Sequence, residues 1–220
     1  MTPPLADRRC LLLDFDGPIC SVFAGLPDRI AAAELTDALA PPTPASVRCY
    51  TDPFDVLRYA AEYRPNEAKV IEKRFTTVEI NAVALAHPTP GAAALICSAS
   101  ERPASVVAVV SNNSAAAIDT YLTDQGLRGN VAGIFARTSA DVGRLKPAPT
   151  LLTEALDTLG FSADEAVFVG DSLTDAQAGR AAGIPVIAFA NRPEKVDRFN
   201  AVHPAAVITD MAQLRGLLAL

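Results

Sequence analysis

From Gly91 onward the chain alternates short β-branched or apolar runs with helical stretches, and no other feature constrains its fold as much. Gly91–Glu101 predicts a helix. Ser105–Val110 predicts a strand that ends at Ser111-Asn112-Asn113, with a helix following through Tyr121 and Leu122. Val131–Phe135 predicts the next strand, and Arg144-Leu145-Lys146-Pro147 leads into a helix ending near Leu159-Gly160. Ala166–Val169 predicts another strand, ending at Gly170-Asp171, and then a helix to Ala182-Gly183, where glycine suits the C-terminal cap. Pro185–Phe189 and Ala206–Ile208 predict the last strands before a closing helix, Met211–Leu218. The expectation is an α/β fold with a doubly wound parallel sheet.

The first strand lies upstream, at residues 9–14. Cys10-Leu11-Leu12-Leu13 is an apolar run that stops at two carboxylates on alternate residues, Asp14 and Asp16, with Gly17 after them. Such a strand delivers both aspartates to its carboxyl end, where open α/β sheets bind ligands. Extended alternation points both to one side of the pleat, and Gly17 lets the backbone turn. Between Pro18 and Pro90 the texture is helical, with no apolar β-run. Pro27-Asp28 starts a helix carrying Ile30, Ala33, Leu35, Ala38 and Leu39. Asp52-Pro53 forms an N-cap and N1 pair for a second helix through Tyr63. Asn66 caps a third through Val70, Ile71, Phe75, Val78 and Val83 toward Leu85. Residues 1–17 and 91–220 are therefore expected to form the core, and 18–90 a small inserted helical cap hinged near Pro18 and His87-Pro88-Thr89-Pro90.

Half of the 220 residues are hydrophobic and a fifth charged, enough for a real core and unlike a disordered chain. A formal charge of −6 argues against a nucleic-acid or anionic-membrane surface. Cys10, Cys20, Cys49 and Cys97 include no CxxC pair, which favours reduced thiols in the cytoplasm over disulfides or structural zinc. The apolar run after Arg8 and Arg9 is too short for a signal peptide or a membrane span. Oligomeric state is not legible in the sequence.

Three strands thus end in polar residues: Asp14 with Asp16, Ser111 with Asn112, and Asp171 with Asp175 one helical turn on. In a parallel sheet these ends share one edge, and Lys146, expected at a helix start, lies on the same side. Two carboxylates about 5 Å apart repel by roughly 3 kcal/mol at an effective dielectric of 20. Lys146 alone cannot offset four of them. Either some are protonated or a hard divalent cation such as Mg²⁺ sits among them. That residue set suits phosphoryl transfer.

The chain resembles the haloacid dehalogenase-like (HAD) hydrolase superfamily, a Rossmann-like α/β family, in its phosphatase type with a short helical cap of the kind found in phosphoglycolate phosphatases and β-phosphoglucomutases. The resemblance rests on Asp14-Phe15-Asp16-Gly17, on Ser111 after Val109-Val110, on Lys146-Pro147-Ala148-Pro149, and on Gly170-Asp171-Ser172-Leu173-Thr174-Asp175, in that order along residues 9–190. It implies that Asp14 becomes an aspartyl phosphate and that Asp16 protonates the leaving oxygen and then activates water. It implies that Ser111 and the Asn112 backbone hold phosphoryl oxygens, and that Lys146 neutralises the growing charge. Mg²⁺ is implied on Asp14, the Asp16 carbonyl and Asp171, with Asp175 in support. A second acid at Asp16 favours phosphate esters over carbon–halogen bonds, whose halide leaves without a proton. Pro18 and Ile19 stand where a threonine and an aliphatic residue are usual, and Pro18, which lacks a backbone donor, is the departure.

The expected activity is hydrolysis of a small phosphorylated metabolite. A sugar-phosphate mutase would share the catalytic residues, a phospho-receiver protein would bind without turnover, and Gly170-Asp171-Ser172-Leu173 matches the block of a serine esterase family. The esterase block belongs near a chain's start with an Asp-x-x-His at its end, and neither condition holds here. His87 and His203, each before a proline, are expected in loops, and Cys20 as a small buried residue. Arg48, Arg58, Arg64, Lys69, Lys73 and Arg74 read as a solvated helix face.

Overall fold

The computed structural model describes residues 5–219. Its centre is a six-stranded sheet built from β1 (Cys10–Leu13), β4 (Val106–Ser114), β5 (Gly133–Arg137), β6 (Ala166–Gly170), β7 (Val186–Phe189) and β8 (Ala206–Ile208). The spatial order is β5-β4-β1-β6-β7-β8, with every neighbouring pair parallel. The chain starts in the middle, builds outward to β4 and β5, then returns to β6 on the other side of β1. That reversal makes the carboxyl end of β1 the topological switch point, the place where such sheets bind ligands.

Alternation along the strands sorts their side chains onto two faces. Leu11, Leu13, Val107, Val109, Val167 and Val169 face one layer, made by α5 (Ala92–Glu101), α6 (Ala115–Asp124) and α10 (Met211–Leu218). Cys10, Leu12, Ala108, Val110, Ala166 and Phe168 face the other, where α7 (Thr150–Leu159) contributes Leu151, Leu152, Ala155 and Leu156, and α8 (Leu173–Ala181) contributes Ala178. Burial on both faces explains why Cys10–Leu13 and Ala166–Gly170 read as continuous apolar runs.

Four helices lie within residues 18–90: α1 (Asp28–Asp37), α2 (Ala45–Arg48), α3 (Pro53–Tyr63) and α4 (Pro65–Val83). They share an apolar cluster of their own, with Ala31, Ala32, Leu35, Val56, Leu57, Ile71 and Phe75 at its centre. The Asp52 side chain accepts from the Phe54 N–H, the capping expected there. Asn66 does not cap α4, which begins at Pro65 without a side-chain cap. The buried face of α1 also differs from expectation: Ala31, Ala32, Leu35 and Thr36 point inward, while Ile30 is 42% exposed. An alanine-rich helix offers nearly equal faces, and docking on α3 and α4 selects one of them.

The segment is not free of strand. Two short strands, β2 (Cys20–Ser21) and β3 (His87–Pro88), pair antiparallel where the chain leaves and re-enters the sheet region. His87 therefore sits in a ladder rather than a loop. His203 lies at φ 50° in the turn after α9 (Glu194–Asn200), a helix absent from the sequence reading. Thr89 ties the two connections further, its hydroxyl donating to the Gly17 carbonyl at 2.6 Å. Among the described residues no helix is long and apolar enough to cross a membrane.

Candidate active site

Register brings the distant segments together. Leu13 is level with Val109 on one side and Val169 on the other, so Ser111 and Asp171 each stand two residues beyond the level of Leu13. Asp14 continues the ladder by one bond, its N–H donating to the Val169 carbonyl at 2.8 Å. The strand ends there. Asp16 is not on the pleat with Asp14; it lies in the following turn, where its Oδ1 accepts from the Val22 N–H at 2.9 Å.

Asp14 is buried and its Oδ1 is doubly engaged, by the Phe15 N–H at 2.7 Å and by Lys146 Nζ at 2.8 Å. Lys146 does not start a helix. It lies in the loop four residues before α7, where its N–H and carbonyl are clamped by the Asn112 side-chain amide at 2.8 and 3.0 Å. From there Nζ reaches between Asp14 and Asp175 Oδ1, 2.6 Å away, and donates to the Val110 carbonyl at 3.2 Å. Asp175 belongs to the first turn of α8, where Ser172 is the N-cap: the Ser172 hydroxyl donates to Asp175 Oδ2 at 2.6 Å. That hydroxyl serves as the α8 cap, and its hydrogen-bond partners, Asp175 and Thr174, include no histidine, which counts against the serine-esterase reading.

Two glycines make this crowding possible. A Cβ on Gly17 would stand 2.3 Å from the Asp171 carboxyl carbon, and φ of 104° already disfavours any side chain there. A Cβ on Gly170 would meet the Asp175 side chain at 2.4–2.6 Å. Oxygens of Asp14, Asp171 and Asp175 lie within 4.8 Å of one another, a hard, all-oxygen donor set that fits a cation such as Mg²⁺.

Electrostatics follows from this packing. Burial, opposed by Lys146 and reinforced by Asp175 and Asp171, pushes Asp14 up to about 7. Burial pushes Asp16 up to about 6, against the Val22 N–H and with help from Asp171. Burial alone would lower Lys146, but Asp14 and Asp175 more than compensate and hold it charged. Asp171 is raised by burial and restrained by a residue the sequence did not point to. Lys195 of α9 places Nζ 2.6 Å from Asp171 Oδ2 and 2.9 Å from its carbonyl, and Asn191 donates to the same Oδ2 at 3.1 Å. Two lysines, not one, thus serve the four carboxylates. A signal for Lys195 existed in Pro193-Glu194 as a helix start, followed by Val196, Phe199 and Val202 at helical spacing, but it is a single short stripe.

Ser111 is buried, its hydroxyl donating to Asn113 Oδ1 at 3.2 Å, three residues ahead of the Ser114 N-cap of α6. Beside Asp16, Gly17 and Asp171 opens a cleft of about 360 Å³, with Asp28, Arg192 and Lys195 on its walls, a size suited to a small molecule. Cys20 is buried in the core, and all four cysteines are free. Of the cationic residues between Pro18 and Pro90, Arg58, Arg64 and Arg74 pair with Asp55, Glu67 and Glu34.

A parallel switch-point sheet with this carboxylate–lysine cluster is the architecture of an α/β hydrolytic enzyme. Residues 12–189 match the family described as haloacid dehalogenase-like hydrolase, and the chain belongs to it. It is 28% identical to a phosphoglycolate phosphatase of Rhodospirillum rubrum over 220 aligned residues, 94% of this chain and 89% of that protein. Its fold is similar to a haloacid dehalogenase-like hydrolase of Bacteroides fragilis, with a TM-score of 0.72 at 17% identity over 94% and 99% of the two chains. It is also similar to a HAD hydrolase of Bacillus subtilis solved bound to magnesium, with a TM-score of 0.68 at 20% identity over 97% and 99%.

Proposed function

We propose that this hydrolase is a Mg²⁺-dependent, cytoplasmic phosphatase that cleaves a small phosphorylated metabolite through an aspartyl phosphate on Asp14. The observation that carries the reading is the Lys146 ammonium held between the buried carboxylates of Asp14 and Asp175 at the switch point. With Oδ1 fixed by Phe15 and Lys146, Asp14 presents Oδ2 to phosphorus. The Oδ2–P bond forms as the bond from phosphorus to the ester oxygen breaks, and Asp16 gives its proton to that oxygen. In the second half Asp16 takes a proton from water, whose oxygen attacks phosphorus and releases inorganic phosphate with Asp14 restored. A pKa near 6 lets Asp16 serve both halves.

Ser111 and the Asn112 N–H, just before α6, receive the phosphoryl oxygens, and Lys146 neutralises charge as it develops. Mg²⁺ would be held by Asp14, the Asp16 carbonyl and Asp171, with Asp175 supporting, and would supply positive charge against the phosphoryl group. Residues 18–90 act as a helical cap over a core of 1–17 and 91–220, a division supported by the separate apolar cluster of α1, α3 and α4. The name of the Rhodospirillum relative makes phosphoglycolate the first metabolite to assay.

The test is phosphate release from p-nitrophenyl phosphate, with and without Mg²⁺, for the wild type and Asp14→Asn. Mg²⁺-dependent release that falls at least about a thousandfold in the variant is expected. Release that survives Asp14→Asn would refute the mechanism.

A further inference from the structure

The turn carrying Ser111 and Asn112 is held from behind by a charge cluster that takes no part in the reaction above. Glu79, near the end of α4, is 0% exposed. Its Oε1 accepts from Asn113 Nδ2 at 3.0 Å, and its Oε2 accepts from the Ser114 N–H at 3.0 Å and from Arg137 Nη2 at 2.5 Å. Arg137, at the end of β5 and 2% exposed, pairs through Nη1 with Glu72 at 2.7 Å and donates from Nε to the Asn112 carbonyl at 3.2 Å. The Phe75 ring lies 4.4 Å from its guanidinium carbon. Glu79 and Arg137 therefore grip three consecutive residues, 112 to 114, between the strand end and the helix.

Stability alone does not account for such a pair. A buried ion pair contributes little beyond what apolar residues of the same shape would provide. What it does here is directional. Glu79 accepts only, so it fixes the Asn113 amide with Nδ2 toward α4 and Oδ1 toward Ser111. The Ser111 hydroxyl then donates to Oδ1 while its oxygen accepts from the Asn113 N–H at 3.3 Å. A phosphoryl oxygen arriving at the turn competes for that one proton, with Oγ already held in place.

We propose that Glu79, with Arg137 as its counter-ion, is a positioning residue for phosphate binding: it sets the Asn113 amide and the Ser114 N–H, and through them the Ser111 hydroxyl and the Asn112 backbone. The proposal rests on the phosphatase reading above. It also makes the occupancy of the phosphate turn depend on the seating of α4.

The experiment compares wild type, Glu79→Gln and Asn113→Ala. Glutamine offers one acceptor and one NH₂ where the carboxylate offers two acceptors, so one of the two grips must face a donor. Calorimetric binding of inorganic phosphate, which needs no turnover, is measured with kcat/KM for p-nitrophenyl phosphate and the Mg²⁺ concentration giving half-maximal stabilisation. Folded Glu79→Gln should bind phosphate about tenfold or more weakly and lose kcat/KM in step, the range seen when a supporting partner is removed, with the Mg²⁺ midpoint unchanged. Phosphate affinity within twofold of wild type overturns the proposal, and so does an equal loss of Mg²⁺ response, which would mark general loosening. If Glu79→Gln does not fold, Asn113→Ala leaves the ion pair intact and carries the same expectation and the same refutation. A wild type that binds phosphate but releases none from the ester refutes the phosphatase reading while leaving the positioning claim to the binding data; one that binds no phosphate overturns both.

Discussion

Asp16→Asn should stabilise the protein while disabling it, and the stabilisation should depend on pH. Burial lifts the Asp16 carboxyl from the ordinary 3.8 to about 6. At about 1.4 kcal/mol per pH unit this difference corresponds to about 3 kcal/mol against the ionised form in the folded state. The side chain keeps some contact with the open cleft, which brings the expected gain to about 1–3 kcal/mol. Asparagine keeps the acceptor that the Val22 N–H uses but carries no charge. The sign follows from proton binding. Below pH 4 the aspartate is protonated in both folded and unfolded chains, and the variant gains nothing from ionisation. Between pH 4 and 6 the folded chain binds more protons than the unfolded one, so wild-type stability falls as pH rises through this window. Above pH 6 the gap stays at its full size. Urea unfolding of both proteins at pH 4, 5, 6 and 7.5, in chelator so that no cation shields the carboxylate, reads it directly. Turnover of an alkyl phosphate should fall further than that of p-nitrophenyl phosphate, whose leaving group needs less protonation. A stability difference that is flat with pH, or equal losses on both esters, would refute the account of Asp16 as a buried acid.

Lys195→Met should free Asp171 Oδ2 and shift Mg²⁺-induced thermal stabilisation to at least about fivefold lower Mg²⁺; an unchanged midpoint would show that the Lys195–Asp171 pair does not compete with the cation. Gly17→Ala should lower stability by about 1–3 kcal/mol, because the residue sits at φ 104° and its new methyl group runs into Asp171. The same variant should lose its Mg²⁺ response, which thermal unfolding with and without the ion would show.

The sheet was legible because its strands are buried on both faces. Cys10–Leu13, Ala166–Gly170 and Ala206–Ile208 stand within a residue or so of their expected places. β4 runs on to Ser114, past the apolar run, because polar Ser111 and Ser114 pair with Ala136 and Arg137 of β5. β5 itself begins two residues later than the apolar run that announced it. Asp14, Ser111 and Asp171 were visible as polar residues ending apolar segments, Asp16 and Asp175 by their spacing from these, and Lys146 at an expected helix start. Lys195 was not, since Asn191–Lys195 contains no apolar run for it to end and only the fold brings it back to Asp171. Glu79 and Arg137 were hidden for a related reason. A charged residue inside a helix or strand reads as solvated until a partner 58 positions away in the chain is known to meet it.

The antiparallel pairing of Ser21 with His87 has an engineering corollary. Residues opposite each other in such a ladder stand about 5 Å apart, so everything from Val22 to Ala86 leaves and returns through one narrow doorway. A two-residue turn could close it. The sheet could then be made as a minimal scaffold, provided that Arg137, stripped of Glu72 and Glu79, were replaced by an uncharged residue and the core side chains that Val22, Ala82 and Val83 cover were replaced by polar ones. Conversely, a foreign helical segment whose ends match that doorway could be grafted in its place.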